Sequence, residues 1–527
     1  MATKTAKKKK EVKFEDELWA AAVALRGNVA PADYKHYVLP LLFLRYLSLK
    51  YEKRREELIK EVHEDRKKYG TQFNMDDLLE EPDEYKKANA FMLPEQARWD
   101  YLAKHAQDDK IKIIVDDALE VVGKEHPKLQ GIMPRIFANS NLDADALRSL
   151  ITLFSKEVFS SKSGQALDML GKTYEYFIGN FASTEGARGG EYFTPESVVR
   201  VLVECMEPKE GIVFDPACGS GGMFVQSDKF AHHNKALSFI GQERIDTTVR
   251  LGRMNLILHG LDGDIALGNS LLDDKHPHVK ADFVIANPPF NLDAWGAEKL
   301  KSDDARLVVD GKRYAATNSN ANYMWMLHFL HHTKEGGTAA TVMANGSMTT
   351  GLNEEQALRK AFVEASLVDC IIQLPEKLFA QTGIPVCIWI FSKSRKGIGG
   401  HRDRRNEIFF IDARKLGRLK EGSRKQKELA GEEVAKIADA YHSFRTAGRE
   451  IQTVLGFCAA ANIETIQKHD RKLTPGIYVG SEAEEEDGEE FDAKFDRLKA
   501  QLEAQFKDAT RLQTEIMNAL GAVEIGR

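Results

Sequence analysis

The chain has 527 residues, 74 of them basic and 80 acidic, for a net charge of −6, with 43% hydrophobic and 29% charged residues. That length accommodates two or three domains, and the hydrophobic share is too high for wholesale disorder. No run approaches the ~18 apolar residues of a membrane span, and the mildly acidic balance excludes a protein that coats nucleic acid with its whole surface, though not one with a local basic groove.

Residues 1–13 open with five lysines in the first ten positions and no apolar stretch behind them. They read as a solvated basic tail, with weak attraction to nucleic acid as the alternative, and not as a secretory signal. From 14 to 168 the spacing predicts a helical N-terminal domain. Leu18, Trp19, Ala22, Val23 and Leu25 recur at helical intervals, and Tyr37, Leu41, Leu44 and Leu47 form a second stripe.

After Phe181 short β-type runs alternate with helix-compatible segments: Gly211–Phe214, Ser238–Gly241, Phe283–Ala286, Thr338–Ala344, Val368–Leu374 and Val386–Phe391. Their separation predicts a parallel α/β sheet rather than a sandwich, closing with an antiparallel pair and ending near Lys396. Residues 393–427 carry 13 Lys/Arg against 4 Asp/Glu and read either as a phosphate-contacting extension or as a solvated loop. We place the whole of 169–480 in this second domain, with the basic extension beginning at about 393.

Residues 481–527 combine an acidic linker, seven acids in the nine positions 482–490, with a helix. Phe491, Phe495, Leu498, Leu502, Ala509, Leu512 and Ile516 follow spacings of 4, 3, 4, 7, 3 and 4, with Gln505 completing the heptad seam. Such a helix requires an apolar partner, on this chain or on another. The five cysteines, Cys205, Cys218, Cys370, Cys387 and Cys458, are dispersed and never paired as C-x-x-C. Neither a disulfide framework nor a Cys-rich zinc site is expected, and a cytoplasmic setting is.

The first chemistry-bearing segment is DPACGSGG, which follows the strand at 211–214. Gly219, Gly221 and Gly222 permit a sharp turn and close approach of a ligand to the main chain around Ser220. Glu243 ends the next strand, 28 residues after Asp215, where an acid accepts hydrogen bonds from ribose hydroxyls. The turn lacks the G-x-x-x-x-G-K-[ST] pattern, so ATP hydrolysis is disfavoured and a nucleoside cofactor across the strand tips is expected. A second segment, Asn287-Pro288-Pro289-Phe290, ends the strand ADFVIA; two prolines stop the strand and hold the tetrapeptide at the carboxyl edge of the sheet. His328, His331 and His332 share a helical segment without an H-E-x-x-H pattern, and are read as polar or packing residues with no metal implied.

DPACGSGG followed by NPPF resembles the amino-group DNA methyltransferases that use S-adenosylmethionine. YEYFIGNFA (174–182), GEYFTPESVV (190–199), LHGLDGD with LGNSL (258–272), ANPPF and TGIPVCIWIFSK (382–393) together resemble the modification subunit of type I restriction-modification systems, over nearly the whole chain and in the gamma motif order. The resemblance implies an α/β, Rossmann-like S-adenosylmethionine-dependent methyltransferase domain with a helical N-terminal domain and a C-terminal helical tail. It implies transfer of methyl to N6 of adenine in DNA. Asn287 and the Pro288 carbonyl would accept the target amine, Pro289 would stiffen the loop, and Phe290 would stack on a base flipped from the duplex.

For the cofactor it implies Glu191, Tyr192, Phe193, Thr194, Pro195 and Glu196 on one wall, Asp215 and the 219–222 turn at the methionine part, Glu243 at the ribose, and Asn269 at the adenine ring. The implied partners are DNA, a specificity subunit joined by two modification subunits, and a restriction subunit. Two alternatives stand beside this reading: a protein glutamine-amide methyltransferase, which also uses Asn-Pro-Pro, and a cofactor-binding scaffold without turnover.

Overall fold

Runs such as ADFVIA and VCIWIFS have no consistent polar face, so they can be stable only as strands covered on both sides. The computed structural model describes residues 34–69, 75–160, 165–184, 194–379, 383, 385–480 and 491–521. In it these runs become β4 and β7 of a nine-stranded sheet. The strands are β1 (Gly211–Asp215), β2 (Leu237–Glu243), β3 (Gly263–Leu267), β4 (Ala281–Ala286), β5 (Thr333–Ala344), β6 (Val368–Gln373), β7 (Val386–Ser392), β8 (Glu407–Asp412) and β9 (Cys458–Asn462). Their order is β9-β8-β6-β7-β5-β4-β1-β2-β3.

Strands β1 to β5 are parallel where they pair, and β7 lies antiparallel between β5 and β6. Strand β8 returns to the parallel direction beside β6, and antiparallel β9 closes that edge. The order reverses at β1, which pairs with β2 on one side and β4 on the other. Open α/β sheets bind ligands at such a switch point, at the carboxyl ends of their strands.

Two expectations are corrected here. The sheet does not end near Phe391 or Lys396, because β8 and β9 extend it by two strands. Nor is 393–427 a plain basic loop: it contains β8, and Arg395 and Arg404 are almost wholly buried around Asp369. The Asp369 carboxylate accepts from Arg395 Nε at 2.9 Å, Arg404 Nε at 3.0 Å, Arg404 Nη2 at 3.1 Å and the Tyr441 hydroxyl at 2.7 Å. The neighbouring guanidinium groups hold its pKa down at about 2, against the effect of burial.

The longer helices before the sheet are α1 (Tyr34–Tyr69), α2 (Ile111–Glu125), α3 (Ala144–Phe154) and α4 (Ala166–Thr184). Leu41, Leu44 and Leu47 of the second predicted stripe are buried on α1, while Leu18 to Leu25 fall outside the described residues. Among the sheet-covering helices are α5 (Glu196–Met206), α6 (Gly222–Phe230), α7 (Asp246–Leu258), α8 (Asn322–His332), α9 (Asn353–Glu364) and α10 (Gly431–Arg445). The N-terminal core does not stop at the sheet domain, since Leu251, Met254 and Leu258 of α7 belong to it. Tyr46 donates its hydroxyl to the Leu258 carbonyl at 2.9 Å, and Tyr174 donates to that of Leu251 at 3.0 Å.

Residues 480–527 form a separate unit, whose described part is mainly α11 (Phe491–Gly521). Phe495, Leu498, Leu502, Leu512 and Ile516 of the heptad seam are all exposed on it. Among the described residues no helix is long and apolar enough to cross a membrane.

Candidate active site

The turn after β1 takes the shape its glycines permit. Gly219 and Gly221 have φ of +52° and +78°, in the left-handed region that a side chain disfavours, and Gly222 begins α6. Among the described residues, a Cβ built at Gly219 or Gly222 would meet nothing within 4 Å, so both glycines border open space there. Behind the turn there is no slack: a Cβ at Gly241 of β2 would lie 2.8 Å from the Cys218 sulfur. The Asn255 amide of α7 secures the turn by donating to the Ser220 carbonyl at 2.8 Å. Cys218 is buried and its thiol pKa is pushed well up by burial, so it packs and is no nucleophile.

Two carboxyl groups face this turn. Glu243, at the tip of β2, accepts the Gly219 N–H at 3.1 Å and the Ile245 N–H at 2.9 Å. Asp215, at the tip of β1, is 2% exposed and accepts the Ala217 N–H at 2.9 Å. Burial raises the Asp215 pKa to about 8; that hydrogen bond opposes the rise and the nearby Glu243 charge adds to it. A buried acid of this kind favours a cationic ligand, because a positive charge restores the solvation that burial removed.

Asn269 lies just beyond β3, its side-chain oxygen accepting the Leu271 N–H at 3.1 Å. Sequence reasoning missed what holds this loop. Arg306 sends Nη1 to the Ser270 carbonyl at 3.1 Å and Nη2 to the Leu271 carbonyl at 2.8 Å, and pairs with Asp304 at 2.7 Å. Arg306 also donates to His328 Nδ1 at 3.2 Å.

His328 and His332 are fully buried, and His332 spans the Val279 carbonyl at 2.9 Å and the Asp274 carboxylate at 3.0 Å. One ligating atom from each of Asp274, His328 and His332 fits within 4.8 Å, a spacing a metal site would share. Arg306 donates to His328 Nδ1, burial keeps that ring's pKa well down, and His332 is already bonded at both nitrogens, so we read the cluster as buried packing and hydrogen bonding and assign it no metal. Asp274 lies 58 residues before His332, and no local pattern in the sequence signals its approach.

The tetrapeptide 287–290 leaves the end of β4 beside the same turn. Pro288 and Phe290 are buried, and Asn287 and Pro289 half-buried. The Asn287 side-chain nitrogen donates to the Thr194 hydroxyl at 2.8 Å, joining two segments 93 residues apart. The amide is thus held by its nitrogen and presents its oxygen as an acceptor. Phe290 packs edge-on to Phe379 of the loop after β6, with ring centroids 5.9 Å apart. Asn291 and Asn322 exchange hydrogen bonds at 2.9 and 2.8 Å, bracing the loop from α8, which the sequence also did not reveal.

Thr194 and Pro195 precede α5, half-buried, and Glu196 is exposed in its first turn. Glu191, Tyr192 and Phe193 lie outside the described residues. The structure thus gathers Thr194, Asp215, the 219–222 turn, Glu243, Asn269 and Asn287 at one edge of the sheet around the switch point.

The model of the N-6 DNA methylase family matches residues 165–487. The chain belongs to that family. A second family model, the HsdM N-terminal domain, matches residues 14–154. Among curated relatives, the MjaIX type I restriction enzyme methylase subunit of Methanocaldococcus jannaschii is 37% identical over 524 residues, covering 96% of this chain and 91% of the relative. The HindI methylase subunit of Haemophilus influenzae is 40% identical over 424 residues, 78% of this chain and 92% of that one. A solved type I restriction-modification methyltransferase subunit from Streptococcus thermophilus superposes with a TM-score of 0.75 at 27% identity, over 89% of this chain and 99% of its own.

This N-6 DNA methylase is an S-adenosylmethionine-dependent, adenine-specific DNA methyltransferase subunit of a type I restriction-modification system. The donor set fits the cofactor: a buried carboxyl at Asp215, a second at Glu243, and open space beside glycine backbone.

Proposed function

We propose that Asn287 and the Pro288 carbonyl accept hydrogen bonds from the N6 amine of an adenine turned out of the duplex, with Phe290 stacked on the base. The exocyclic amine is a weak nucleophile because its lone pair is delocalised into the ring. Two acceptors aimed at its hydrogens favour a more tetrahedral nitrogen with the lone pair directed at the methyl group. When bound, S-adenosylmethionine supplies that methyl on a positively charged sulfur. The chain lowers the barrier by positioning and by fixed dipoles, without a strong general base.

Asp215, the Gly219–Gly222 turn with Ser220, Glu243 and Asn269 hold the cofactor in this reading, and residues 191–196 form its wall. The observation that carries it is the bond from Asn287 to Thr194, which joins the acceptor of the target amine to the segment assigned to that wall.

In the cell, this reading places the chain in the cytoplasm, with two copies joined to one specificity subunit that reads DNA and with a restriction subunit in the full complex. The exposed heptad seam of α11 supports docking of the tail on such a partner. Sequencing of native genomic DNA tests the catalytic assignment. N6-methyladenine at a two-part motif is expected with the wild-type chain and absent with Asn287→Ala, while the purified variant still binds S-adenosylmethionine. Matching methylation maps would overturn the assignment.

A further inference from the structure

Of the 13 basic residues in 393–427, five are paired with acids of the chain itself, two of them buried. Arg395 and Arg404 are buried on Asp369, Arg402 pairs with Glu407 at 2.6 Å, and Arg405 and Arg414 pair with Asp403 and Asp412 at 2.5 Å. Five of the other eight stand in one place. Residues Arg418–Leu419 and Lys427–Glu428 form a small antiparallel hairpin carrying Arg418, Lys420, Arg424, Lys425 and Lys427 against two acids, Glu421 and Glu428. Arg418, Lys420, Arg424 and Lys425 are exposed; Arg418 lies 3.5 Å from Glu428 at the hairpin's base.

The position of this hairpin follows from the sheet. Strands β4, β6 and β8 point the same way, so the NPPF tetrapeptide, the segment 374–379 and the hairpin segment all leave the same edge. The hairpin is fastened to the middle one of the three. Lys427 N–H donates to the Lys377 carbonyl at 2.8 Å, and the Gln426 side chain donates to the Leu378 carbonyl at 2.9 Å. The next residue, Phe379, is the one packed edge-on against Phe290. Three consecutive residues of one loop therefore connect the cationic hairpin to the aromatic ring assigned to the target base.

We infer that the hairpin Arg418–Glu428 binds the DNA sugar-phosphate backbone beside the flipped adenine. The inference rests on the reading of Asn287–Phe290 as the target pocket. A nucleotide turned into that pocket carries its own phosphates to the rim where Lys420, Arg424 and Lys425 stand. Long cationic side chains on a fixed hairpin meet such phosphates without reading sequence. This is a positioning role: the hairpin restrains the strand while Asn287 holds the amine.

The test uses the chain assembled with its specificity subunit and a duplex containing the recognition site. Lys420→Gln/Arg424→Gln/Lys425→Gln is compared with Lys209→Gln/Lys235→Gln/Lys334→Gln, a matched change on exposed lysines at the opposite edge of the sheet. Each phosphate contact adds about 0.9 to the slope of log affinity against log salt, so loss of three lowers it by about 2.7.

A fall of at least about 0.9 on the specific duplex in the hairpin variant alone, with unchanged S-adenosylmethionine affinity, is the expected result. An unchanged slope, or the same fall in the control, overturns the inference. Failure of the target-pocket reading is separately visible: the Asn287→Ala chain would then still methylate DNA.

Discussion

Asp215 offers the most quantitative check on the proposed cofactor site, through Asp215→Asn. Asparagine matches the protonated acid in shape but has no ionised form to be disfavoured by burial. With its pKa at about 8 in the fold and 3.8 as the reference, the carboxyl binds a proton more tightly folded than unfolded. Its contribution to stability is therefore fully present below about pH 4 and is lost as pH rises through about 8. At 1.36 kcal/mol per pH unit, the loss between pH 5 and pH 8 is about 4 kcal/mol.

The assay is urea unfolding of the cofactor-free protein followed by tryptophan fluorescence at pH 5, 6, 7 and 8, for wild type and variant. Other titrations cancel in the difference, which should grow in favour of Asp215→Asn by about 4 kcal/mol across that range. Binding of cationic S-adenosylmethionine should expel most of one proton from the wild type at pH 7, read by calorimetry in buffers of different ionisation heat, and none from the variant. A stability difference that stays flat with pH would refute the account of Asp215.

Thr194→Val keeps the shape but removes the acceptor for the Asn287 amide. A bond worth about 1 kcal/mol should cost roughly fivefold in kcat, with Thr194→Ser restoring it; a wild-type rate for the valine variant in steady-state methylation would contradict the positioning role. Asp369→Ala strands two buried guanidinium groups and should cost about 3–5 kcal/mol in the same unfolding assay, without altering the chemistry of any chains that fold. Because the Asp369 pKa lies at about 2, below its 3.8 reference, wild-type stabilisation from this group should hold above about pH 4 and fade as pH drops toward 2, a slope that Asp369→Ala lacks.

The residues that were legible in the sequence are those whose chemistry is local. DPACGSGG and NPPF announce themselves because glycine and proline dictate the backbone where they stand, and both emerge from strands whose apolar runs are continuous. The heptad seam of α11 was equally legible, since its period lies within one helix.

What escaped depended on contacts distant in sequence or on charge in unusual surroundings. Strand β8 was hidden because EIFFID sits in a basic stretch, and charged residues read as solvent-facing until Asp369, 26 and 35 residues away from its two arginines, is seen to neutralise them. Strand β9, CAAAN, has too little apolar bulk to signal a strand. The Arg306 clamp on the Asn269 loop and the approach of Thr194 to Asn287 are tertiary facts with no periodic trace.

The shared core between the N-terminal helices and α7 bears on how this chain can be divided. Tyr46 and Tyr174 fasten the helical region to the helix that also supplies Asn255, the residue gripping the glycine turn from behind. A catalytic fragment trimmed to start at β1 would bare the side of α7 that carries Leu251, Met254 and Leu258. It would also remove the scaffolding behind the glycine turn. A minimal enzyme cut from this protein must therefore retain the helices that carry Tyr46 and Tyr174, and grafting the sheet onto another carrier would have to recreate that buttress.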